Sequence, residues 1–189
     1  MKNLLLSTFL LFGYFTHAQY VVTMDSVHVA INSKIIPDKL SPALIKQLAG
    51  PFKTHYTHFN IHWEDGRIIK PKMFGYSYPD NGFYISFFKV EQTFAGISMQ
   101  IQYYRDERGN KNFNRQLANQ LIIDGHKMDT STTMEEVRQI LKTYPLVFED
   151  EVNLYKQVYS PMIQYLIGKT YLRLYFLPET KKLRLVRIN

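Results

Sequence analysis

The chain of 189 residues has no cysteine and only one tryptophan. Without cysteine, the protein has no disulfide bridges, no cysteine nucleophile and no residue for an N-terminal lipid anchor. The fold must therefore be held together by its apolar core alone. Fourteen tyrosines and thirteen phenylalanines predict that much of this core is aromatic β-sheet, since aromatic residues favour strands.

Long apolar runs are also absent, apart from one near the start of the sequence. Leu4 to Phe15 is nearly all apolar, but it has about 12 residues where a membrane-spanning helix needs roughly 20. The run follows Lys2 and precedes Thr16-His17-Ala18, which places small residues just before a cleavage point. This is the layout of a secretory signal peptide. We expect residues 1–18 to be a signal peptide and the protein to be periplasmic or extracellular, and not a lipoprotein.

Common catalytic motifs are missing as well. The sequence contains neither the G-x-S-x-G motif of serine hydrolases nor a phosphate-binding glycine loop. Acidic neighbours such as Glu64-Asp65 and Asp106-Glu107 lie at predicted turns. Adjacent residues of an extended chain point to opposite sides, so these pairs do not form an acid–base couple by themselves. We therefore expect no catalytic residue and no cofactor, and we interpret the protein as not an enzyme.

Basic residues outnumber acidic ones by 23 to 16, which gives a net charge of +7. Four of them, Arg173, Lys181, Lys182 and Arg184, are predicted to lie on a hairpin near the C-terminus. Nucleic-acid binding would use such residues together with aromatic ones, but an exported protein is separated from nucleic acid. Contact with an anionic membrane surface is the better functional interpretation, and protection of an edge strand by charge is the simplest one.

Two segments align without a gap at an offset of 92 residues. They are INSKIIPDKLSPALIKQLA, residues 31–49, and IDGHKMDTSTTMEEVRQIL, residues 123–141. Each begins with a strand that turns through Asn32-Ser33 or Asp124-Gly125, and such two-residue turns favour residues that tolerate positive φ. The alignment predicts an internal duplication.

Both segments continue into a short helix. Ser41 is the predicted N-cap before Pro42 in the first helix, and Thr133 with Glu136 predicts a capping box in the second. Segments with strand character follow each helix, and the alternation of apolar and polar residues from Ile97 to Tyr104 is the clearest of them.

The sequence therefore predicts an α+β fold of two tandem β-β-α-β-β-type repeats, with antiparallel sheets and one short helix packed per repeat. The predicted boundaries are 1–18 for the signal peptide, 19–104 for the first repeat, 105–114 for a charged loop and 115–189 for the second repeat.

Three histidines, His55, His58 and His62, lie within KTHYTHFNIHWEDG, residues 53–66. On a helix they would share one face and resemble a three-ligand metal array. The intervening residues are largely β-branched or aromatic and alternate with polar ones, which predicts a strand. Strand residues four apart are about 13 Å apart, too far for two ligands of one metal ion. We predict a polar strand face and no metal site.

The tandem units resemble the β-lactamase-inhibitor-protein-like scaffold of small exported proteins, in which two α/β repeats form one concave, aromatic-lined surface. The chain is also similar to uncharacterised bacterial envelope proteins with a hairpin, a short helix and a Trp-acidic-Asp-Gly strand end. The matching residues are Ile123-Asp124-Gly125 and Trp63-Glu64-Asp65-Gly66. The chain lacks the cysteines of the inhibitor family, so the resemblance does not imply inhibition of a β-lactamase, and it implies no catalytic residues.

These observations favour an exported, non-enzymatic binding protein that holds a protein partner on an aromatic and histidine-rich sheet face, as an inhibitor or an immunity protein would. The predicted contact residues are the polar sides of two strands: His58, Asn60, His62, Gln100, Gln102 and Tyr104. Two alternatives stay open. One is an envelope structural factor that docks on membrane proteins or anionic lipid, and the other is a metal-dependent hydrolase that uses the histidine strand.

Overall fold

The computed structural model of the chain describes residues 20–58, 61–62, 68–69, 72–78, 81–102, 117–155 and 158–189. Within these ranges the strands are β1 (Val21–Met24), β2 (Val29–Ile31), β3 (Lys34–Ile35), β4 (Lys53–His58), β5 (Ile61–His62), β6 (Ile68–Ile69), β7 (Lys72–Tyr78), β8 (Phe83–Phe88), β9 (Phe94–Gln100), β10 (Gln120–Ile123), β11 (His126–Met128), β12 (Leu146–Tyr155), β13 (Val158–Ile167), β14 (Thr170–Phe176) and β15 (Leu183–Ile188). The helices are α1 (Pro42–Ala49) and α2 (Met134–Ile140). The predicted signal peptide and the predicted charged loop at 105–114 lie outside the described residues.

The larger sheet has eight strands in the order β12-β13-β14-β15-β9-β8-β7-β4, and all its pairings are antiparallel. The four strands that follow α2 form one half of this sheet. Strands that follow α1 form the other half. The halves join where β15 pairs with β9, with Leu185 opposite Gln100 and Ile188 opposite Ile97.

A second sheet has five strands in the order β11-β10-β1-β2-β3. Its central strand β1 runs parallel to β10 and antiparallel to β2. The hairpins β2–β3 and β10–β11 therefore lie on either side of β1. A third sheet pairs only β5 with β6.

The two predicted hairpin turns are confirmed. Asn32 and Ser33 have φ values of 50° and 66°, and Asp124 and Gly125 have values of 49° and 81°. Positive φ at both central residues is the turn geometry whose twist matches that of the flanking strands. These turns set the register of the β2–β3 and β10–β11 hairpins.

Both predicted helix starts are also confirmed. The Ser41 side chain accepts a hydrogen bond from the backbone N–H of Leu44, and Pro42 is the first residue of α1. In α2, the Thr133 hydroxyl accepts from the Glu136 N–H, and the Glu136 carboxylate accepts from the Thr133 N–H at 2.7 Å. Each cap satisfies backbone donors that a helix N-terminus otherwise leaves without partners.

One large apolar cluster fills the space between the two main sheets and the helices. It contains residues of the five-stranded sheet such as Val22 and Leu121, residues of both helices such as Ile45 and Val137, and many residues of the eight-stranded sheet. Aromatic rings are prominent in it. Tyr20 stacks on Phe83 with ring centroids 4.1 Å apart. Burial raises the pKa of the hydroxyls of Tyr20, Tyr76 and Tyr78, because the charged phenolate would lose its hydration there.

The α+β prediction is wrong. Within the described residues the chain is largely β, and its two helices have only 8 and 7 residues. The predicted wholly antiparallel sheets are wrong as well, because β1 and β10 are parallel. Both main sheets combine strands from before residue 104 with strands from after residue 115. The physical reason is that short helices cover little apolar area, so the eight-stranded sheet buries its inner face largely against the five-stranded one.

Neither helix in the described part of the chain is long and apolar enough to cross a membrane.

Candidate functional site

The structure places the backbone of two predicted contact residues. His58 is the last residue of β4 and lies opposite Lys72 of β7, and His62 is the last residue of β5 and lies opposite Ile68. The prediction that the histidine segment is extended is confirmed over Lys53–His58 and Ile61–His62. The other two predicted contacts of this region, Asn60 and Tyr104, lie outside the described residues.

The two predicted glutamines differ in their surroundings. Gln100 ends β9, and its side-chain Oε1 is buried without a hydrogen-bond partner among the described residues. Gln102 lies beyond the end of β9 and is only 9% exposed, and its Nε2 donates to the backbone oxygen of Leu183 at 2.7 Å. Gln102 therefore links two segments of the chain and offers little of its side chain to a partner.

Three of the four predicted basic residues of the C-terminal hairpin have different side-chain partners. Arg173 lies within β14 and donates through Nε to Gln164 Oε1 at 2.7 Å. Lys181 and Lys182 follow β14, and the Lys181 Nζ lies 3.8 Å from a carboxylate oxygen of Glu151. Arg184 lies in β15 and donates to the Ser160 hydroxyl at 3.0 Å.

Ser160 and Pro161 lie inside a strand. A Ser-Pro dipeptide is typical of turns, but both residues are buried within β13. Ser160 is fully buried, and its hydroxyl accepts the hydrogen bond from Arg184. A buried hydroxyl with a charged donor is a structural link, which explains a polar residue at this strand position.

One surface of the eight-stranded sheet faces away from the apolar core, and we term it the outer face. On β9, Ile97 and Met99 belong to the core. Side chains alternate along a strand, so Gly96, Ser98 and Gln100 lie on the outer face. Of the predicted contact residues, Gln100 is therefore placed on this face.

A strip of small residues crosses the outer face on three neighbouring strands. Gly75 of β7 lies opposite Ser86 of β8, which lies opposite Gly96 of β9. Two members of the strip, Ser86 and Gly96, line a recess in the sheet surface. A Cβ atom at Gly75 would overlap the side chain of Tyr84, and one at Gly96 would lie 2.8 Å from the backbone oxygen of Ile188. Glycine at both positions thus lets other groups approach the sheet backbone closely.

Two arginines stand side by side next to this strip. Arg187 of β15 lies opposite Ser98 on one side and opposite Arg173 of β14 on the other. The Arg187 guanidinium carbon lies 5.2 Å from the centre of the Tyr175 ring, and its Nη1 is 3.5 Å from the Tyr175 hydroxyl. In the part of the chain that the structure describes, neither guanidinium forms an ion pair with a carboxylate. Two like charges directly opposite each other on neighbouring strands repel.

Ser86 and Gly96 of the strip line one groove together with the arginine pair, and its volume is about 630 Å³. Its walls are formed by residues of β7, β8, β9, β14 and β15: Met73, Tyr84, Ser86, Ala95, Gly96, Ile97, Ser98, Arg173, Arg187, Ile188 and Asn189. A volume of this order accommodates a small ligand or one or two side chains of a partner. We term this feature the arginine groove.

Apolar and aromatic groups lie beside the arginine groove on the same face. Met162, Tyr175 and Leu185 form a small cluster of their own, with Val152 packed against it. Further from the groove, Phe148 and Tyr171 are 42% and 40% exposed. The outer face therefore combines a charged groove with apolar contact area.

No three histidine, aspartate or glutamate residues lie close enough to hold a metal ion within the described ranges. The outer face carries its positive charge on arginines instead. Its chemistry suits recognition of an anionic group, because guanidinium N–H groups match carboxylate and phosphate geometry.

The sequence contains only part of the signal for the arginine groove. Alternation places Tyr171, Arg173 and Tyr175 on one face of their strand. Gly75 and Gly96 lie inside segments with strand character, and a glycine there indicates that another group approaches the strand backbone closely. The pairing of β15 with β9 is what brings Arg187 next to Ser98, and local patterns carry no information on that pairing.

Comparison with known proteins found no matching family model, no matching curated protein and no matching solved structure.

Proposed function

We propose that this chain is an exported, non-enzymatic binding protein that holds a protein partner on the outer face of its eight-stranded sheet. An inhibitor or an immunity protein would work in this way. The proposal keeps the kind of function predicted from the sequence and moves its centre from the histidine strand to the arginine groove and the residues around it.

The observation that supports this proposal is the composition of the outer face. Aromatic residues and arginine are enriched in protein interfaces, and most of the binding energy comes from a few of them. Here Arg173 and Arg187 line a groove, and exposed Phe148 and Tyr171 lie on the same surface. Large exposed apolar groups near a recess are typical of binding surfaces.

A capture experiment with variants of exposed residues tests the proposal. The purified protein is immobilised, and partners are collected from an envelope extract and identified by mass spectrometry. We expect the double variant Phe148→Ser, Tyr171→Ser to fold normally, since both side chains are exposed, and to lose at least about tenfold in affinity for the captured partner.

The matched control is Val27→Ser, Val90→Ser. These valines are 76% and 79% exposed and lie in turns away from the outer face. The control should capture the partner as the unchanged protein does. Equal capture by both double variants would show that the outer face is not the binding surface.

The histidine strand can be compared in the same assay. His58→Ala with Tyr104→Ala tests the surface first predicted from the sequence. Loss of capture in this variant alone would move the binding surface to the histidine strand.

A further inference from the structure

Packing within the chain does not explain why two arginines lie side by side on this sheet. Arg173 and Arg187 lie directly opposite each other on neighbouring strands, and such like-charged pairs destabilise a sheet. Their hydrogen-bond partners are Gln164 and Tyr175, which are neutral. Within the described residues, most of the N–H groups of both guanidiniums are thus without a partner and available for an anion.

The groove also has the shape that an anionic side chain needs. The residues of β8 and β9 that line the groove include the small Ser86, Gly96 and Ser98. A group that enters the groove can therefore meet both guanidiniums, since both arginines line it. The lining residues Met73 and Ala95 add apolar surface, which suits the methylene groups of a glutamate side chain.

We propose that the arginine groove binds a carboxylate side chain of an acidic segment in the protein partner. This inference rests on the proposed function and names the chemistry of the partner at that site. Two guanidiniums can bind one carboxylate through paired N–H donors. Phe148 and Tyr171, outside the groove, would contact residues that flank the acidic one. A free phosphate or a lipid headgroup would leave these aromatic residues uncovered.

The first test uses a defined probe, a blocked peptide of four glutamates, with a peptide of four glutamines as its control. We expect the glutamate peptide to shift the NMR signals of the Gly96 and Ser98 amides and of the Nε–H groups of both arginines. The glutamine peptide should leave all of them in place. Absence of shifts with the glutamate peptide at low salt would overturn the proposal.

Inorganic phosphate and phosphatidylglycerol vesicles form the second arm of this test. Tighter binding of phosphate than of the glutamate peptide at the same signals would assign the groove to a phosphate ligand and overturn the carboxylate proposal. Binding to the vesicles through the same arginines would assign the groove to a lipid headgroup. That result would also overturn the carboxylate proposal.

The third arm is the double variant Arg173→Gln, Arg187→Gln. We expect it to bind the captured partner about 30-fold more weakly, the loss that is typical of a central interface arginine. Its matched control is Lys46→Gln, Lys142→Gln, which removes two charges from exposed positions away from the groove. The control should bind as the unchanged protein does.

Thermal unfolding shows whether the arginine variant is folded. Because it removes a repulsive pair, its unfolding midpoint at low salt should be equal to or higher than that of the unchanged protein. If Phe148→Ser, Tyr171→Ser loses the partner but the folded arginine variant keeps it, the carboxylate site is wrong and the proposed function stands. If neither variant changes capture, the proposed function itself is wrong.

Discussion

At the scale of single residues, Asn119 connects the two main sheets. It is 2% exposed. Its Oδ1 accepts from the backbone N–H of Tyr20 at 3.0 Å, and its Nδ2 donates to the backbone oxygens of Asn81 and Gln100 at 2.6 and 2.8 Å. One amide side chain thus satisfies three backbone groups, at the start of β1, before β8 and at the end of β9.

Replacement of Asn119 by leucine should lower the free energy of unfolding by about 3 kcal/mol, because a buried donor and two acceptors lose their partner. Chemical denaturation measures this loss. Asn153→Leu is the matched control, since Asn153 is exposed on β12, and it should change stability by less than about 0.5 kcal/mol. Similar small effects of both substitutions would mean that other groups replace the Asn119 amide.

Gln100 and Gln102 show what a sequence pattern can and cannot predict about the direction of one side chain. Period-two alternation predicts correctly that it lies on the opposite side of β9 from Ile97 and Met99. The same pattern places Gln102 among exposed residues, whereas it is buried against Leu183. The alternation rule holds within a strand, and Gln102 lies beyond the strand's last residue, so its direction depends on contacts with a distant segment.

At the scale of elements, α2 depends on its capping box. Glu136 has a lowered pKa because its carboxylate accepts hydrogen bonds from the Thr133 backbone N–H and hydroxyl. A lowered pKa in the folded state means that the ionised form stabilises the fold. This contribution is complete above the ordinary value of 4.5 and is lost as the pH falls through the lower folded-state pKa.

We therefore expect Glu136→Gln to have a lower thermal midpoint than the unchanged protein at about pH 7, and the difference to shrink as the pH falls to about 3. Unfolding followed by circular dichroism over this pH range measures the difference. Glu91→Gln, at an exposed turn between β8 and β9, should not reproduce it. A difference that stays constant with pH would show that the Glu136 charge does not act through the cap.

The caps and hairpin turns could be predicted from the sequence because their causes are local. Ser41 needs only the N–H of Leu44 three residues away, and Asp124-Gly125 needs only its own backbone conformation. Strand pairing is different. The strand β1 lies outside the two aligned segments, and its parallel partner β10 is about a hundred residues away along the chain. No local pattern in the sequence identifies such a distant partner. The prediction of wholly antiparallel sheets is therefore wrong, whereas the predicted turns are confirmed.

At the scale of the whole molecule, the two halves of the chain share both main sheets and one apolar core. The strand β1 pairs with β10, and β9 pairs with β15. Neither half keeps all its strand partners without the other. The prediction of separate repeats at 19–104 and 115–189 stays a prediction about the origin of the sequence, but it does not describe two separate cores.

We expect the protein to unfold in one cooperative transition. Denaturation curves from far-ultraviolet and near-ultraviolet circular dichroism should coincide, because the shared core couples both halves. A fragment of residues 20–102 should stay unfolded, since β1 and β9 would each lose a neighbour. Two separated transitions, or a folded fragment, would contradict this expectation.

The position of β1 between β10 and β2 has a mechanical consequence. A force along the axis of Val21–Met24 cannot break the backbone hydrogen bonds of this strand one after another, because those on both of its flanks resist sliding together. Edge strands such as β3 and β11 can instead be peeled away bond by bond when the force acts across them. The strand order of the smaller sheet therefore makes its middle strand the last to yield under such a force.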